Sequence, residues 1–402
     1  MAKIQTGKKV CLITPGHISS NPRLVKEALA LAQSGYKVHL IFTQYVGYLV
    51  DHDQQILNNN PTWTYNCLNW AGQNLSSKRY RIFSKIMQVL NPNLSIKLNR
   101  NYLWQLKKAI ACKADLYIAH NLSALPAVVI AAKKNNVKCG FDAEDFHRNE
   151  VSDDPASGDV KLKTAIEEKY IPQVDYMTAA SPQIAETYEK LFYRHIRVVL
   201  NVFPKTASIK IKNNTATHLQ LFWFSQTIGP GRGLEEVLKG IQISGIKTDL
   251  HLLGKVGYQY KQYLLGSIKN LSSTIYFHDP VYADELFKLA AHFDIGLASE
   301  PKHPHNRDIC LTNKLFTYIQ TGLAVFASNT TAQTKFIHKY PQTASLYQNA
   351  DELAALLITH NNNRELLYTT KVNNFQLGQN TLNWEIEGKK FVAVIKNVLD
   401  QA

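Results

Sequence analysis

The sequence predicts an α/β protein built from two doubly wound parallel sheets. Three observations carry this expectation. Short apolar runs alternate with stretches of helical periodicity almost from the first residue, as in repeated strand–helix–strand units. The alternation breaks at a polar stretch rich in Lys, Asn and Thr, residues 205–217, and then begins afresh. The chain has 402 residues of which 45% are hydrophobic, enough for two sizeable cores rather than one.

Residues 9–14 (KVCLIT) are nearly continuously apolar, as a strand buried on both faces must be. Asn21 and Pro22 supply an N-cap and a first helical residue. Leu24, Val25, Ala28, Leu29 and Ala32 then recur at helical spacing up to the stop signal Gly35. Residues 37–42 (KVHLIF) are the next strand and close a βαβ unit. Further strands are expected at 115–119, 137–141, 176–180 and 196–200, with helices at 125–134, 161–170 and 184–192 between them. The second half opens with a strand at 219–224, a glycine-rich loop at 229–233 and a helix at 234–243. Short strands follow at 250–253, 275–277, 295–298 and 324–327, and residues 384–399 read as a terminal helix. The expected divisions are a first domain over 1–204, a second over 205–380 and a closing helical segment over 381–402.

Lys plus Arg exceeds Asp plus Glu by 45 − 31 = 14. Such a surplus favours anionic partners: nucleotide phosphates, anionic lipid head groups or nucleic acid. No zinc-finger spacing, RRM-like basic–aromatic run or basic-zipper heptad is present, so no nucleic-acid partner is expected. Cys11, Cys67, Cys112, Cys139 and Cys310 are odd in number, scattered and mostly inside apolar runs, and are read as buried reduced thiols of a cytoplasmic protein. The first residues lack the apolar core of a signal peptide, and no run reaches the ~18 apolar residues of a spanning helix. The expectation is a cytoplasmic protein, soluble or peripheral on the inner face of the plasma membrane. Residues 76–110 break the alternation. They mix Lys78, Arg79, Arg81, Lys85, Lys97, Arg100, Lys107 and Lys108 with Tyr80, Ile82, Phe83, Ile86, Met87, Val89, Leu90, Tyr102, Leu103 and Trp104. This suits one or two helices lying on an anionic membrane surface, the alternative being an ordinary helix pair with a solvated basic face.

Open α/β sheets bind ligands beyond the carboxyl ends of their strands, so the residues after each strand are the candidates. After the first strand, Gly16 lets backbone approach a ligand, and the helix opening at Pro22 presents N–H groups to an anion, with His17, Asn21 and Arg23 nearby. A plain βα turn is the alternative. His120 and Asn121 follow the strand at 115–119, and a histidine there can orient a hydroxyl or move a proton, although a lone histidine is more often structural. Asp142, Glu144 and Asp145 follow the next strand and can hold hydroxyl groups, or cap the next helix. In the second half, Gly229, Gly231 and Gly233 permit a tight turn that carries Arg232 toward a phosphate oxygen. Glu300, Asn306 and Arg307 precede a helix opened by Asn313 and Lys314, a second anion cradle. Asp51-His52-Asp53 looks like a DxD metal motif but is read as standing in a polar loop with no strand before it. His303-Pro304-His305 lacks further ligands at zinc spacing. Neither is read as a metal site.

Eight segments, in order and over nearly the whole chain, resemble the family 4 glycosyltransferases. They are SSNPRLVKEA from Ser19, AHNLSALPA from Ala119, FDAED from Phe141, SPQIAE from Ser181, NVFP from Asn201, FSQTIGPGRGLEE from Phe224, DIGLASE from Asp294 and NKLFTYIQTGLAVFAS from Asn313. The resemblance implies the GT-B fold: two Rossmann-like doubly wound domains facing a central cleft, the acceptor on the first, the nucleotide on the second, and the last helix crossing back to the first. It implies a retaining hexosyltransferase that moves a sugar from a nucleoside diphosphate sugar to a hydroxyl of a glycan or lipid-linked acceptor. The expected setting is cell-envelope polysaccharide or glycolipid synthesis, with no metal or cofactor. Position by position, Gly16 matches the glycine facing the donor phosphates and His120 the histidine near the transferred sugar. Arg232 matches a basic residue of the phosphate-binding pair, and Lys314 lies in the segment that meets diphosphate and ribose. His120, Arg232 and Lys314 are therefore the catalytic candidates. The substrate-binding candidates are Gly16, His17, Asn21, Arg23, Asn121, Glu144, Asp145, Gly231, Gly233, Glu300, Asn306, Arg307 and Asn313. Two positions depart from the family pattern: Gln226 stands nearest the place of the other basic residue, and Thr317 that of a ribose-binding glutamate. They favour one alternative, a non-catalytic nucleotide-sugar-binding subunit of a glycan assembly complex; a GT-B nucleotide-sugar epimerase is the other.

Overall fold

The computed structural model describes residues 7–206, 209–211, 217–268, 273–281 and 283–401. The chain divides into two compact units, residues 1–200 with 388–402, and residues 201–387. Of the polar stretch expected to link the domains, 207–208 and 212–216 lie outside the described residues.

The first unit holds β1 (Lys9–Ile13), β2 (Lys37–Gln44), β3 (Thr64–Asn69), β4 (Leu116–His120), β5 (Lys138–Ala143), β6 (Tyr176–Ala179) and β7 (Arg197–Val198). Their order in the sheet is β3-β2-β1-β4-β5-β6-β7, and every pairing is parallel. In the centre Cys11 of β1 sits opposite His39 of β2 on one side and Tyr117 of β4 on the other. All five residues of β4 are buried, the reason its run before His120 is apolar without alternation. Residues 388–402, most of the helix Trp384–Asp400, also belong to this unit. Lys8 Nζ and Lys138 Nζ donate to the carbonyls of Leu399 and Val398 at 2.9 and 3.1 Å, placing cations where the helix dipole favours them.

The second unit holds β8 (Leu219–Ile228), β9 (Thr248–Val256), β10 (Thr274–His278), β11 (Ile295–Ala298), β12 (Ala324–Ser328) and β13 (Ala344–Tyr347). The order is β10-β9-β8-β11-β12-β13, again parallel throughout. Its core packs Leu221, Trp223, Leu252, Ile295 and Phe326 of the strands against Val237, Leu264 and Leu353 of the helices. In each sheet the strand order reverses beside the first strand, between β1 and β4 and between β8 and β11. These are the switch points where a doubly wound sheet opens a crevice for a ligand.

Several elements differ from expectation. Residues 76–110 form three helices, Leu75–Leu90, Leu94–Leu98 and Tyr102–Cys112, broken around Pro92 and by the residues after Leu98. Asp51-His52-Asp53 is not in a loop but inside the helix Gly47–Asn58, directly after β2. That helix and β3 escaped notice because both are largely polar or half-exposed and show little periodicity. The strand expected at 196–200 pairs only over Arg197–Val198. All five cysteines are free, but Cys67, Cys112 and Cys310 are only partly buried. Among the described residues, no helix is long and apolar enough to cross a membrane.

Candidate functional site

Within the second unit, a cleft of about 400 Å³ opens at the ends of β8 and β9 and beyond β10. Its walls are Phe224, Ser225, Gln226, Leu253, Pro280, Val281, Leu286, Thr312, Asn313 and Lys314. The helix Asn313–Thr321 starts in that wall. Its N-cap residue Thr312 makes no side-chain capping bond, and the buried Thr312 Oγ1 has no hydrogen-bond partner. An uncapped helix start leaves first-turn N–H groups and their partial positive charge available to an anion. Lys314 is nearly buried there. Its Nζ pairs with the Glu300 carboxylate and lies 5.4 Å from the centre of the Trp223 ring. Arg307 Nη1 stands 4.0 Å from the other Glu300 oxygen, and the Glu300 backbone N–H donates to Ser328 Oγ at 2.8 Å. Glu300 is therefore fixed from three sides and in turn fixes Lys314.

The glycine-rich turn sits at the β8–β11 switch. Gly231 and Gly233 have φ of 68° and 78°, where a side chain is strained, and a Cβ on Gly233 would lie 2.9 Å from Ser299 Cβ. The turn holds Arg232 so that Nη1 donates at 2.9 Å to Ser225 Oγ, on the cleft wall. Asn313 is exposed in the wall, its Oδ1 accepting from Asn201 Nδ2 at 3.1 Å. Asn306 is buried inside the short helix His305–Ile309 rather than presented in the wall. Gln226 is exposed in the wall, whereas Thr317 is fully buried with Oγ1 unpartnered.

At the β1–β4 switch of the first unit lies a buried cluster of charges. Arg23 has no exposed surface: Nε and Nη2 donate to Asp142 at 2.5 and 2.8 Å, and Nη1 donates to the Val199 carbonyl at 2.7 Å. Glu27 lies 3.4 Å away, one helical turn on. The expected substrate-facing Arg23 is thus a buried tie between the first helix, β5 and the chain after β7. His120 is also fully buried, with Nε2 3.3 Å from Glu27 and Nδ1 3.5 and 3.4 Å from Asp142 and Glu144. Burial opposes its charge, but Glu27, Glu144 and Asp142 prevail and raise its pKa to about 10. At neutral pH it is an imidazolium, a donor of hydrogen bonds and not a proton acceptor. Burial, then Asp142, pushes Glu27 up, while Arg23 outweighs burial and holds Asp142 down. Glu27, His120 and Asp142 are also the one metal-type cluster among the described residues, but Arg23 already occupies both Asp142 oxygens.

Glu144 is the member of this cluster that reaches the surface. Its side chain is 22% exposed, and its Oε1 accepts from Asn21 Nδ2 at 2.7 Å. Asn21 also caps the helix Pro22–Gln33, accepting from the Leu24 N–H at 3.0 Å. Asp145 is half-buried beside it. Asn121 follows β4 with φ 74° and ψ 146°, a strained conformation outside glycine, and its Oδ1 accepts from the Ser123 N–H.

In the first loop the expectation of a ligand-facing His17 is corrected. The Tyr45 ring stands beside Gly16, 3.3 Å from where a Cβ would lie. His17 is fully buried: Nε2 accepts from the N–H groups of Tyr45 and Val46, both at 2.9 Å, so Nδ1 carries the proton to Asp53 at 2.7 Å. Asp53 also accepts from Ser19 N–H and Gln44 Nε2, and it braces the loop as an anchor.

A second cleft, of about 530 Å³, lies beyond the carboxyl end of β3 and was missed in the sequence. Gly47, Val50, Asp51, Asn69, Ala71, Gly72, Asn74 and Ser77 line it. Tyr48 nearby is exposed, and Tyr45 stacks on Trp70 at 5.6 Å. Asn69 ending β3 and Asn74 capping the next helix were the available signals.

The raised pKa of His120 has a measurable consequence. A group raised on folding stabilises fully below its unfolded pKa of ~6.5 and loses that contribution as pH climbs toward about 10. Lys26, lowered to about 7 by burial and Arg23, acts in the opposite direction over the same window. The wild type's stability advantage over His120→Gln is therefore expected to shrink between pH 7 and 10 in urea unfolding. An advantage that stays constant would show that His120 is neutral in the fold.

No protein-family model matches the chain, and no curated protein matches its sequence. Solved structures do match. HepE of Anabaena, in complex with UDP and glucose, is 12% identical with a TM-score of 0.67, over 97% of this chain and 100% of that one. Sucrose-phosphate synthase of Thermosynechococcus elongatus is 14% identical with a TM-score of 0.68, over 98% and 100%. A variant of S. aureus TarM, in complex with fondaparinux, α-GlcNAc-glycerol and UDP, is 10% identical with a TM-score of 0.66, over 98% and 99%. With its two Rossmann-like parallel sheets, the chain has the GT-B fold that these proteins share.

Proposed function

We propose that the chain is a glycosyltransferase that binds a nucleoside diphosphate sugar in the cleft of the second unit and transfers the sugar to an acceptor hydroxyl with retention. The observation that carries the reading is the uncapped start of the helix Asn313–Thr321, with the unpartnered Thr312 Oγ1 and nearly buried Lys314 in the wall of a cleft at the strand ends. Phe224, Leu253, Pro280, Val281 and Leu286 give the cleft an apolar side suited to a base, opposite in chemistry to the side suited to a diphosphate. The UDP bound in HepE and TarM supports UDP as the nucleotide.

In the proposed reaction the bond between the sugar C1 and the diphosphate oxygen breaks. The acceptor oxygen bonds to C1 on the same face, and the acceptor proton passes to the departing diphosphate. Lys314, Arg232 and the helix N–H groups stabilise the negative charge that develops on the diphosphate, which is the role a metal ion would otherwise take. His120 does not touch substrate in this scheme. As an imidazolium it positions Glu144, which Asn21 also holds and which offers a carboxylate at the surface. The acceptor is a glycan or lipid-linked sugar held at the cleft of Asp51, Asn69 and Asn74, in cell-envelope polysaccharide or glycolipid synthesis.

A second reading is nucleotide-sugar binding without transfer, favoured by the buried Thr317 where the family resemblance expects a glutamate. Incubation with UDP-glucose, UDP-N-acetylglucosamine, GDP-mannose and ADP-glucose, with and without a panel of sugar acceptors and without added metal, separates the two. Transferase activity predicts acceptor-dependent release of one nucleoside diphosphate with an α-linked product. Tight donor binding without any release would establish the second reading. Release of a sugar epimer without acceptor would make the protein an epimerase.

A further inference from the structure

The helix Leu75–Leu90 is turned inside out. A surface helix normally buries its apolar stripe and exposes its polar one. Here the inward ridge is Ser77, Tyr80, Ser84 and Met87, spaced three and four apart: Ser77 and Ser84 are buried, Tyr80 Oη donates to Asn101 Oδ1 at 2.8 Å, and Met87 packs against the cluster of Ile96 and Tyr102. The outward stripe is apolar. Ile82, Phe83 and Ile86 are 63, 62 and 50% exposed, and Val89 and Leu90 are 68 and 76% exposed. An apolar stripe of this extent on one helix needs an apolar medium to cover it.

The charge around the stripe identifies that medium. Lys78, Arg79 and Lys85 are exposed on the same helix, and the helix carries no acid. Between Asp53 and Asp115 the chain holds nine Lys and Arg and no Asp or Glu, so nine of the net fourteen positive charges fall in this stretch. A nucleic acid would answer the cations but leave the apolar stripe in water. A neutral protein groove would answer the stripe but not the cations. An anionic bilayer surface answers both, with acyl chains under the stripe and head-group phosphates beside the lysines and arginines. We propose that the helix Leu75–Leu90 docks the protein on an anionic lipid surface, lying in the plane of the interface with Ile82, Ile86 and Val89 inserted. The helix starts at Asn74 and Ser77 in the wall of the β3 cleft, so docking brings that cleft to the membrane face. This is independent of whether the second unit binds a nucleotide.

The test is co-sedimentation of the full chain with phosphatidylcholine vesicles, with and without about one-third phosphatidylglycerol. It compares the wild type with the triple variant Ile82→Ser, Ile86→Ser, Val89→Ser and with Lys78→Glu, Lys85→Glu. The expected result is about tenfold more wild-type protein pelleted by the anionic vesicles, weakened by salt, and loss of that binding in both variants. Because the substituted side chains are exposed, both variants are expected to keep the wild-type circular dichroism and melting temperature. Absence of binding to anionic vesicles would overturn the proposal. So would full binding by the triple variant, which would make the attraction purely electrostatic. A wild-type dimer that the triple variant dissolves, seen by light scattering, would also overturn it, since the stripe would then be an interface between copies.

Discussion

Replacing Arg23 with alanine is expected to cost the first unit about 3–5 kcal/mol of stability, the scale of breaking a buried ion pair by removing one partner. The guanidinium is wholly enclosed and serves three acceptors at once: both oxygens of Asp142 and the Val199 carbonyl. Its removal leaves Asp142, with Thr178 Oγ1 still bonded to it at 2.5 Å, as a buried carboxylate next to the already crowded Glu27. Arg23→Lys is expected to recover little, because an ammonium cannot present the planar fork that meets Asp142 with two parallel bonds. Urea unfolding followed by circular dichroism measures the loss. A cost below about 1 kcal/mol, the level of an exposed pair, would show that the cluster relaxes and that Arg23 does not tie the sheet together.

The second large effect is expected at Lys314. Alanine there removes a cation from the cleft and also leaves Glu300, nearly buried, with Arg307 at 4.0 Å as its one remaining ion-pair partner among the described residues. Nucleoside diphosphate affinity is expected to fall by about 2–3 kcal/mol, or ~30- to 150-fold, from the lost charged hydrogen bond and the unpaired anion left behind. Stability is expected to fall as well. Adding Glu300→Gln to Lys314→Ala separates the two effects: neutralising the orphaned carboxylate is expected to restore stability but not affinity. Restored affinity in the double variant would mean that Lys314 acts only by neutralising Glu300 and never meets the ligand.

The parts of the fold that were legible in the sequence are those where a single physical demand acts on consecutive residues. β1 and β4 read clearly because strands buried on both faces are apolar along most of their length. The turn around Arg232 read clearly because Gly231 and Gly233 take a backbone conformation that excludes most other residues. β3 did not, since it runs at the sheet edge with none of its residues buried. The helix Gly47–Asn58 buries only Asp53 and Leu57, too few contacts to leave a periodic trace.

The site was legible where local geometry decides it and illegible where packing does. Lys314 opens a helix whose start is visible in sequence, and it stands in the cleft wall. Arg23 and His17 follow a strand end too, and nothing in the sequence tells that Asp142 waits for one and Asp53 for the other, 119 and 36 residues away. The inverted helix Leu75–Leu90 shows the same limit. Its basic–apolar composition was readable, but only the fold shows that the serines face inward and the isoleucines face out.

The central claim is that the second unit's cleft holds a nucleoside diphosphate. Isothermal titration of the folded protein with UDP, GDP and ADP, and with the matching monophosphates, tests it most directly. The account predicts saturable binding of one diphosphate, much weaker binding of its monophosphate, and loss of binding in Lys314→Ala. A folded protein that binds none of the diphosphates, or binds one equally well without Lys314, would contradict it.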